Sequence, residues 1–208
     1  MTTLSDYITD NISESILSST HTGKAHLDEE LKKYGLDPAK AKFNADGSID
    51  YNGDVEMNSI GLTKLPFKFR KVNGYFDISY NNLTSLEGCP EEVKDSLFCD
   101  KNQLISLKGG PKRVNGAFFC EYNNLTTLEG APNIVAGGFN CSYNNLTNLK
   151  GGPEQVGYDY DCSYNNLTSL EGLPKKLKNI LYCHDNPSKF NVKDVLAVCN
   201  MDKNKIFV

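Results

Sequence analysis

Hydrophobic and polar positions recur along this chain with a period of 21 residues. The cassette FNCSYNNLTNLKGGPEQVGYDY, which starts at Phe139, is followed by the similar cassette YDCSYNNLTSLEGLPKKLKNIL from Tyr160. A fixed period in the low twenties is typical of stacked coils, because each coil buries its apolar residues only against its neighbours. The repeats therefore predict a solenoid, and a solenoid favours a binding surface over an enclosed catalytic pocket.

Alignment of the repeats gives columns of equivalent residues. Two hydrophobic columns stand two residues apart, which predicts a short strand with one inward and one outward face. The first column contains Phe76, Leu97, Phe118, Phe139, Tyr160 and Leu181, and the second contains Ile78, Cys99, Cys120, Cys141, Cys162 and Cys183. Two leucine columns follow, represented by Leu83 and Leu86.

An asparagine column lies between the strand and the leucines. A buried corner leaves backbone groups unpaired, and an amide side chain can both donate to them and accept from them. We therefore expect these asparagines to form an internal ladder. They are Asn81, Asn102, Asn123, Asn144, Asn165 and Asn186.

Glycine and proline columns, beginning at Gly88 and Pro90, interrupt each repeat after the leucines. They leave roughly ten residues for the return path, too short and too interrupted for an α-helix. We expect extended or polyproline-like backbone there, with a 3₁₀ turn. A further apolar column is expected to hold this path against the core, and it contains Val93, Val114, Val135, Val156 and Leu177.

These motifs resemble those of the leucine-rich repeat family over residues about 57 to 187. The resemblance implies a right-handed α/β-solenoid that is mainly β. Its parallel strands would line a concave face, its convex side would be non-helical, and a small helical region would stand at the N-terminus. The wording SYNNLTSLEG-x-P is also similar to that of short-repeat proteins encoded by large tailed bacteriophages.

Three segments are predicted. Residues 1–48 form a helical N-terminal region and cap, with helices over 4–19 and 24–35. Residues 49–187 form the solenoid, with about seven coils. Residues 188–208 form a C-terminal cap that consists of a short helix and a terminal strand.

Both ends of the solenoid carry further signals. Asn52-Gly53 lies between two alternating stretches, 49–51 and 55–57, and predicts a β-hairpin. At the other end, an apolar helix face is predicted from Val192, Val195, Leu196 and Cys199.

Composition limits the classes of partner. The chain has 208 residues and a net charge of −4, without a long basic block, which argues against nucleic-acid binding. It lacks an apolar run of the ~20 residues that span a bilayer, so we expect no membrane partner. Its N-terminus has neither a basic opening nor an apolar core, which predicts a cytoplasmic protein without a secretory signal.

The sequence does not suggest catalysis. Its seven cysteines lack the close pairs that zinc sites need, so we expect buried, reduced thiols and no metal. No serine or cysteine can be paired with a histidine base, and no complete phosphate loop is present. We therefore predict a protein that is not an enzyme and has no cofactor.

The outward strand positions are the candidate partner-binding residues. Phe98 and Phe119 stand side by side on the outward face without a packing reason, unless neighbouring side chains or the N-terminal region shield them. A tyrosine column beside the ladder permits either structural stacking or binding. The acidic members would complement a basic partner. The candidates are Phe98, Phe119, Tyr182, Asp77, Asp100, Glu121, Asp161, Tyr122, Tyr143 and Tyr164.

Two functional hypotheses remain. In the first, the chain is a phage-encoded binder that grips a host or defence protein in the bacterial cytoplasm. In the second, it is a virion structural or decoration protein that docks through its N-terminal helices. The sequence leaves the partner and the oligomeric state open.

Overall fold

The computed structural model describes residues 21–208 as a parallel β solenoid of about eight turns. The prediction of a mainly β solenoid with parallel strands is confirmed. The helix predicted for 24–35 is present as α1, which spans His21–Lys33. The helix predicted for 4–19 lies outside the described residues.

Short strands alternate between two sheets along the chain. After α1 and a 3₁₀ turn, Pro38–Lys40, the strands are β1 Ala41–Phe43, β2 Ile49–Tyr51, β3 Val55–Glu56, β4 Phe69–Val72, β5 Phe76–Asp77, β6 Glu92–Val93, β7 Leu97–Phe98, β8 Arg113–Val114, β9 Phe118–Phe119, β10 Ile134–Val135, β11 Phe139–Asn140, β12 Gln155–Val156, β13 Tyr160–Asp161 and β14 Leu181–Tyr182. The chain ends with α2 Val192–Val198, a 3₁₀ turn Lys203–Lys205 and β15 Ile206–Phe207.

The larger sheet contains eight strands in the order β15, β14, β13, β11, β9, β7, β5, β3. Its strands are parallel, and equivalent repeat positions pair directly, as Leu97 does with Phe118 and Phe118 with Phe139. The 21-residue period therefore sets the register of the sheet. The final strand comes from the C-terminal segment, where Ile206 pairs with Leu181.

The return path is more ordered than the sequence predicts, because it contributes a second sheet in the order β1, β2, β4, β6, β8, β10, β12. Pairs such as Val114 with Val135 join adjacent turns. The apolar column expected to hold this path against the core is buried, with Val93, Val114 and Val135 at most 1% exposed.

The hairpin predicted at Asn52-Gly53 is wrong. The strands on either side of it lie in different sheets, where β2 pairs with β4 and β3 pairs with β5. Asn52-Gly53 is instead the corner at which the chain passes from one sheet to the other. The hairpin in this region joins β1 to β2, antiparallel, through a turn in which the N–H of Gly47 bonds to the carbonyl of Asn44.

The core runs along the solenoid axis as stacked columns. Each member of the first hydrophobic column is at most 1% exposed, and each member of the cysteine column is at most 2% exposed. Burial of one such large apolar side chain contributes about 1.5–3 kcal/mol. All seven cysteines are free and buried.

Glycine is required where the turns approach each other most closely. Gly130 has φ of +97°, and a Cβ atom added there would lie 2.3 Å from the backbone carbonyl of Leu107. Gly172 repeats this geometry against Leu149 at 2.2 Å. A larger residue at either position would force adjacent turns apart.

Each ladder asparagine joins two turns. Asn144 Nδ2 donates hydrogen bonds to the carbonyls of Cys120, Cys141 and Ser142, each at 3.1 Å. Its Oδ1 accepts from the backbone N–H of Leu125 at 2.9 Å. The same pattern holds from Asn81 to Asn186, and only the last of these side chains is more than marginally exposed.

The residue before each ladder asparagine adopts a left-handed backbone. In the described part of the chain, the non-glycine residues with positive φ, between 51° and 56°, are these six and Ser59, which holds the equivalent position one period earlier and precedes Ile60. The column contains Ser59, Tyr80, Lys101, Tyr122, Tyr143, Tyr164 and Asp185. Such a conformation costs an L-residue about 1–2 kcal/mol, so the asparagine bonds that follow must hold it in place.

The C-terminal cap agrees only in part with its predicted apolar face. Val195 and Cys199 are buried, but Leu196 is 43% exposed. Helix α2 begins with a capping box, in which Asn191 and Asp194 exchange hydrogen bonds between side chain and backbone.

The ladder can be tested at its centre. Asn144→Ala should lower the free energy of unfolding by about 1–3 kcal/mol, because it leaves buried backbone groups without partners. Asn145→Ala is the matched control, since Asn145 is the adjacent and exposed asparagine. Urea denaturation measures both, and equal stabilities of the two variants would contradict the structural role of the ladder.

Burial of the cysteines predicts low reactivity. In the native protein, a thiol reagent should label few of the seven cysteines, whereas all seven should react in denaturant. Burial raises the pKa of Cys99 and Cys120, which further lowers the thiolate fraction. Rapid native labelling, quantified by mass spectrometry, would contradict this arrangement.

Candidate functional site

The candidate site is the outward surface of the eight-stranded sheet, which we call the strand face. It consists of two columns whose side chains point the same way. Ser79 Oγ donates to Asp77 Oδ1 at 2.7 Å, and Ser142 Oγ donates to Asn140 Oδ1 at 2.7 Å. The first column contains Asp77, Phe98, Phe119, Asn140, Asp161 and Tyr182, and the second contains Ser79, Asp100, Glu121, Ser142, Ser163 and His184.

Phe98 and Phe119 are stacked on neighbouring strands. Their ring centroids are 5.0 Å apart and their planes differ by 12°. The edge of the Tyr75 ring contacts Phe98 at a centroid distance of 6.2 Å. The two phenylalanines are therefore adjacent, as predicted. Both side chains are half-buried.

Two carboxyl groups lie beside this pair. Asp100 and Glu121 follow Phe98 and Phe119 by two residues, just beyond the ends of β7 and β9, and the N–H of Lys101 bonds to the carbonyl of Glu121 at 3.0 Å. We call Phe98, Asp100, Phe119 and Glu121 the acid–phenyl cluster. The sequence predicts acidic residues on an outward face, and the structure adds that Asp100 is only 9% exposed and Glu121 is half-buried.

The buried carboxyl groups are poorly compensated. Glu121 Oε2 is buried without a hydrogen-bond partner among the described residues. Burial raises the pKa of Glu121 to about 7, and repulsion from Asp100 and Asp161 adds to this effect. Burial also raises the pKa of Asp100, as does the nearby charge of Asp77.

The four acidic residues of the strand face, Asp77, Asp100, Glu121 and Asp161, have no ion pair with a lysine or arginine within residues 21–208. The nearest lysine in sequence, Lys101, forms no ion pair with them, although its charge partly opposes the rise in the pKa of Asp100 and Glu121. Its Nζ lies 4.1 Å from the ring centroid of Tyr80 and bonds to the hydroxyl of that residue. The acidic residues beside the aromatic pair therefore have no ion-pair partner within residues 21–208.

The tyrosine column forms a separate stack beside the ladder. The ring centroids of Tyr122 and Tyr143 are 4.3 Å apart, and those of Tyr143 and Tyr164 are 4.2 Å apart. Since the ring faces contact each other, only edges and hydroxyl groups remain for a partner. This geometry favours the interpretation of the tyrosines as structural.

Tyr182 is not close to the phenylalanine pair, because Asn140 and Asp161 occupy the two strands between them. It stacks instead on Phe207 of the C-terminal strand, at 5.3 Å between centroids. Sequence reasoning missed Phe207 as a member of this column because it stands 25 residues after Tyr182 and outside the regular period.

Neither a metal site nor a membrane-spanning helix is found in residues 21–208. No group of three or more histidine, cysteine, aspartate or glutamate side chains there is placed to hold a metal ion. In the same part of the chain, no helix has the length and apolar character needed to cross a membrane.

Comparison with known proteins does not assign a family. No protein-family model matches the chain, and neither a curated protein nor a solved structure matches it.

The Glu121 carboxyl group should make stability depend on pH. Its pKa rises from 4.5 to about 7 on folding, so the folded state holds the proton more tightly. Wild-type stability should therefore fall as pH rises from about 4.5 to about 7. Glu121→Gln should remove this loss and exceed wild type at pH 8 by about 1–2 kcal/mol, a value reduced for the partial exposure of the side chain.

Chemical denaturation at pH 5 and pH 8 measures this difference. Glu87→Gln is the control, because Glu87 is exposed on the return path. The interpretation would be wrong if Glu121→Gln and Glu87→Gln responded alike to pH.

Proposed function

We propose that this chain is a non-enzymatic protein-binding module that holds a protein partner against its strand face. The observation that carries the proposal is the stacked pair Phe98 and Phe119, placed on an outward face beside carboxyl groups that are largely buried and form no ion pair within residues 21–208. Aromatic side chains in such surroundings commonly anchor protein interfaces.

The repeat itself offers an internal comparison. The backbone is the same in successive turns, yet the position of Phe98 and Phe119 is filled by Asp77, Asn140 and Asp161 in the adjoining turns, and by Tyr182 in the last. The fold therefore does not require an aromatic residue at this position. A partner that contacts two adjacent strands accounts for the two phenylalanines.

The resemblance to leucine-rich repeat proteins supports the same proposal, because it would make the strand face concave. The similarity to repeat proteins of large tailed bacteriophages further suggests a phage-encoded protein that acts on a host or defence protein in the bacterial cytoplasm. The acidic residues around the phenylalanines would speed encounter with a basic partner.

The alternative is a virion structural or decoration protein, docked through its N-terminal region. The two proposals differ in a measurable quantity. A virion component is present in purified particles in stoichiometric amount, whereas a free binder is not.

The phenylalanine pair provides the direct test. Phe98→Ala combined with Phe119→Ala should strongly reduce capture of the partner from host lysate, because both aromatic anchors are lost. The measurement is affinity purification followed by quantitative mass spectrometry.

Ile105→Ala combined with Ile134→Ala is the matched control, because these exposed apolar residues lie away from the strand face. Circular dichroism checks that both double variants fold. Recovery of the same proteins by the phenylalanine variant and by wild type would overturn the proposal.

A further inference from the structure

The second column of the strand face contains two acidic residues, Asp100 and Glu121, that the fold does not explain. Serine occupies three of the six positions of this column, Ser79, Ser142 and Ser163, and His184 occupies the last. Two of these serines form a local hydrogen bond with the side chain two residues earlier, Ser79 with Asp77 and Ser142 with Asn140. Serine is therefore compatible with the backbone of this column.

Two adjacent turns depart from serine and carry Asp100 and Glu121 instead. No side chain of the described residues donates a hydrogen bond to either carboxyl group. Asp100 is 9% exposed, and the Oε2 atom of Glu121 is fully buried. Burial of acidic groups that form no ion pair is unfavourable.

The same two turns are those that carry Phe98 and Phe119. Aromatic rings and carboxyl groups without a side-chain donor therefore coincide in two adjacent turns, those that contain β7 and β9. The adjoining turns carry Asp77 on one side and Asn140 on the other, so no cation borders the cluster within either column. A ligand that suits this cluster combines positive charge, several hydrogen-bond donors and an apolar stem.

We infer that the acid–phenyl cluster receives an arginine side chain from the protein partner. The aliphatic stem of the arginine packs on the edges of the Phe98 and Phe119 rings, and its guanidinium group donates to the carboxylates of Asp100 and Glu121. Arginine fits better than lysine, because its planar fork has five donors and is less strongly hydrated. The inference rests on the proposed function, since it names the chemistry of the partner at the same face.

A charge-matched pair of variants tests the inference. Asp100→Ser combined with Glu121→Ser restores the residue found in neighbouring turns. Glu87→Ser combined with Glu154→Ser makes the same change in net charge at exposed positions outside the strand face. Circular dichroism and thermal melting confirm that both variants fold.

The probe is a fluorescein-labelled nine-residue peptide in which arginine alternates with serine, measured by fluorescence anisotropy at low salt. The neutral comparison is the same peptide with citrulline in place of arginine. Wild type and the Glu87/Glu154 variant should bind the arginine peptide with affinities within about twofold, because surface charge contributes little. The Asp100/Glu121 variant should bind it at least about tenfold more weakly, and citrulline should weaken binding to wild type similarly.

Three results would overturn the inference: no binding of the arginine peptide by wild type, equal binding of the citrulline peptide, or equal losses in the two charge-matched variants. The proposed function fails separately. If the Asp100/Glu121 variant still captures a partner whose capture requires Phe98 and Phe119, the arginine inference is wrong and the protein-binding proposal stands.

Discussion

The amide ladder is the interaction on which the structure depends. At each corner one asparagine side chain donates to carbonyl groups of its own turn and the preceding turn, and accepts from the backbone of the preceding turn. Each net hydrogen bond contributes about 0.5–1.5 kcal/mol, so several of them outweigh the cost of about 1–2 kcal/mol of the left-handed residue before it. The ladder thus stabilises the same left-handed corner in successive turns.

Regular corners place equivalent residues directly above one another in both sheets. The apolar columns then form a continuous core, and the tyrosine rings stack at 4.2–4.3 Å because their backbones follow the same path. Ring stacking contributes about 0.5–1.5 kcal/mol per pair and offsets part of the corner strain. Packing and backbone geometry therefore support each other in these turns.

The features that the sequence predicts well are those fixed by a strict period. The ladder, the two strand columns and the return-path valines follow from spacing alone, because equivalent side chains pack in the same way in every turn. The second sheet was missed because each return path carries only one core-facing apolar column, that of Val93 and Val114, whereas the predicted strands carry two such columns two residues apart. The hairpin at Asn52-Gly53 was misplaced because this dipeptide also suits a corner between sheets, where Gly53 has φ of +152°.

The alternation of hydrophobic and polar residues separates inward from outward positions, but it does not show how far neighbouring residues cover an outward side chain. Burial on the strand face could therefore not be predicted from it. Asp100 is outward in the pattern and still only 9% exposed. Phe207 escaped notice for another reason, since its strand joins the sheet outside the 21-residue period. Asp100 and Phe207 both lie on the strand face, which is the candidate site.

A repeat protein supplies its own comparison for separating structural from functional residues. Where a column is uniform, as with the asparagines, the backbone requires the residue. Where a column varies while the backbone does not, the backbone does not require the residue. Asp100 and Glu121 meet this criterion most clearly, because Ser79 and Ser142 show a satisfied alternative in the same column. Residues that weaken a fold in this way commonly mark function, and these two stand beside the aromatic pair that the fold also does not require.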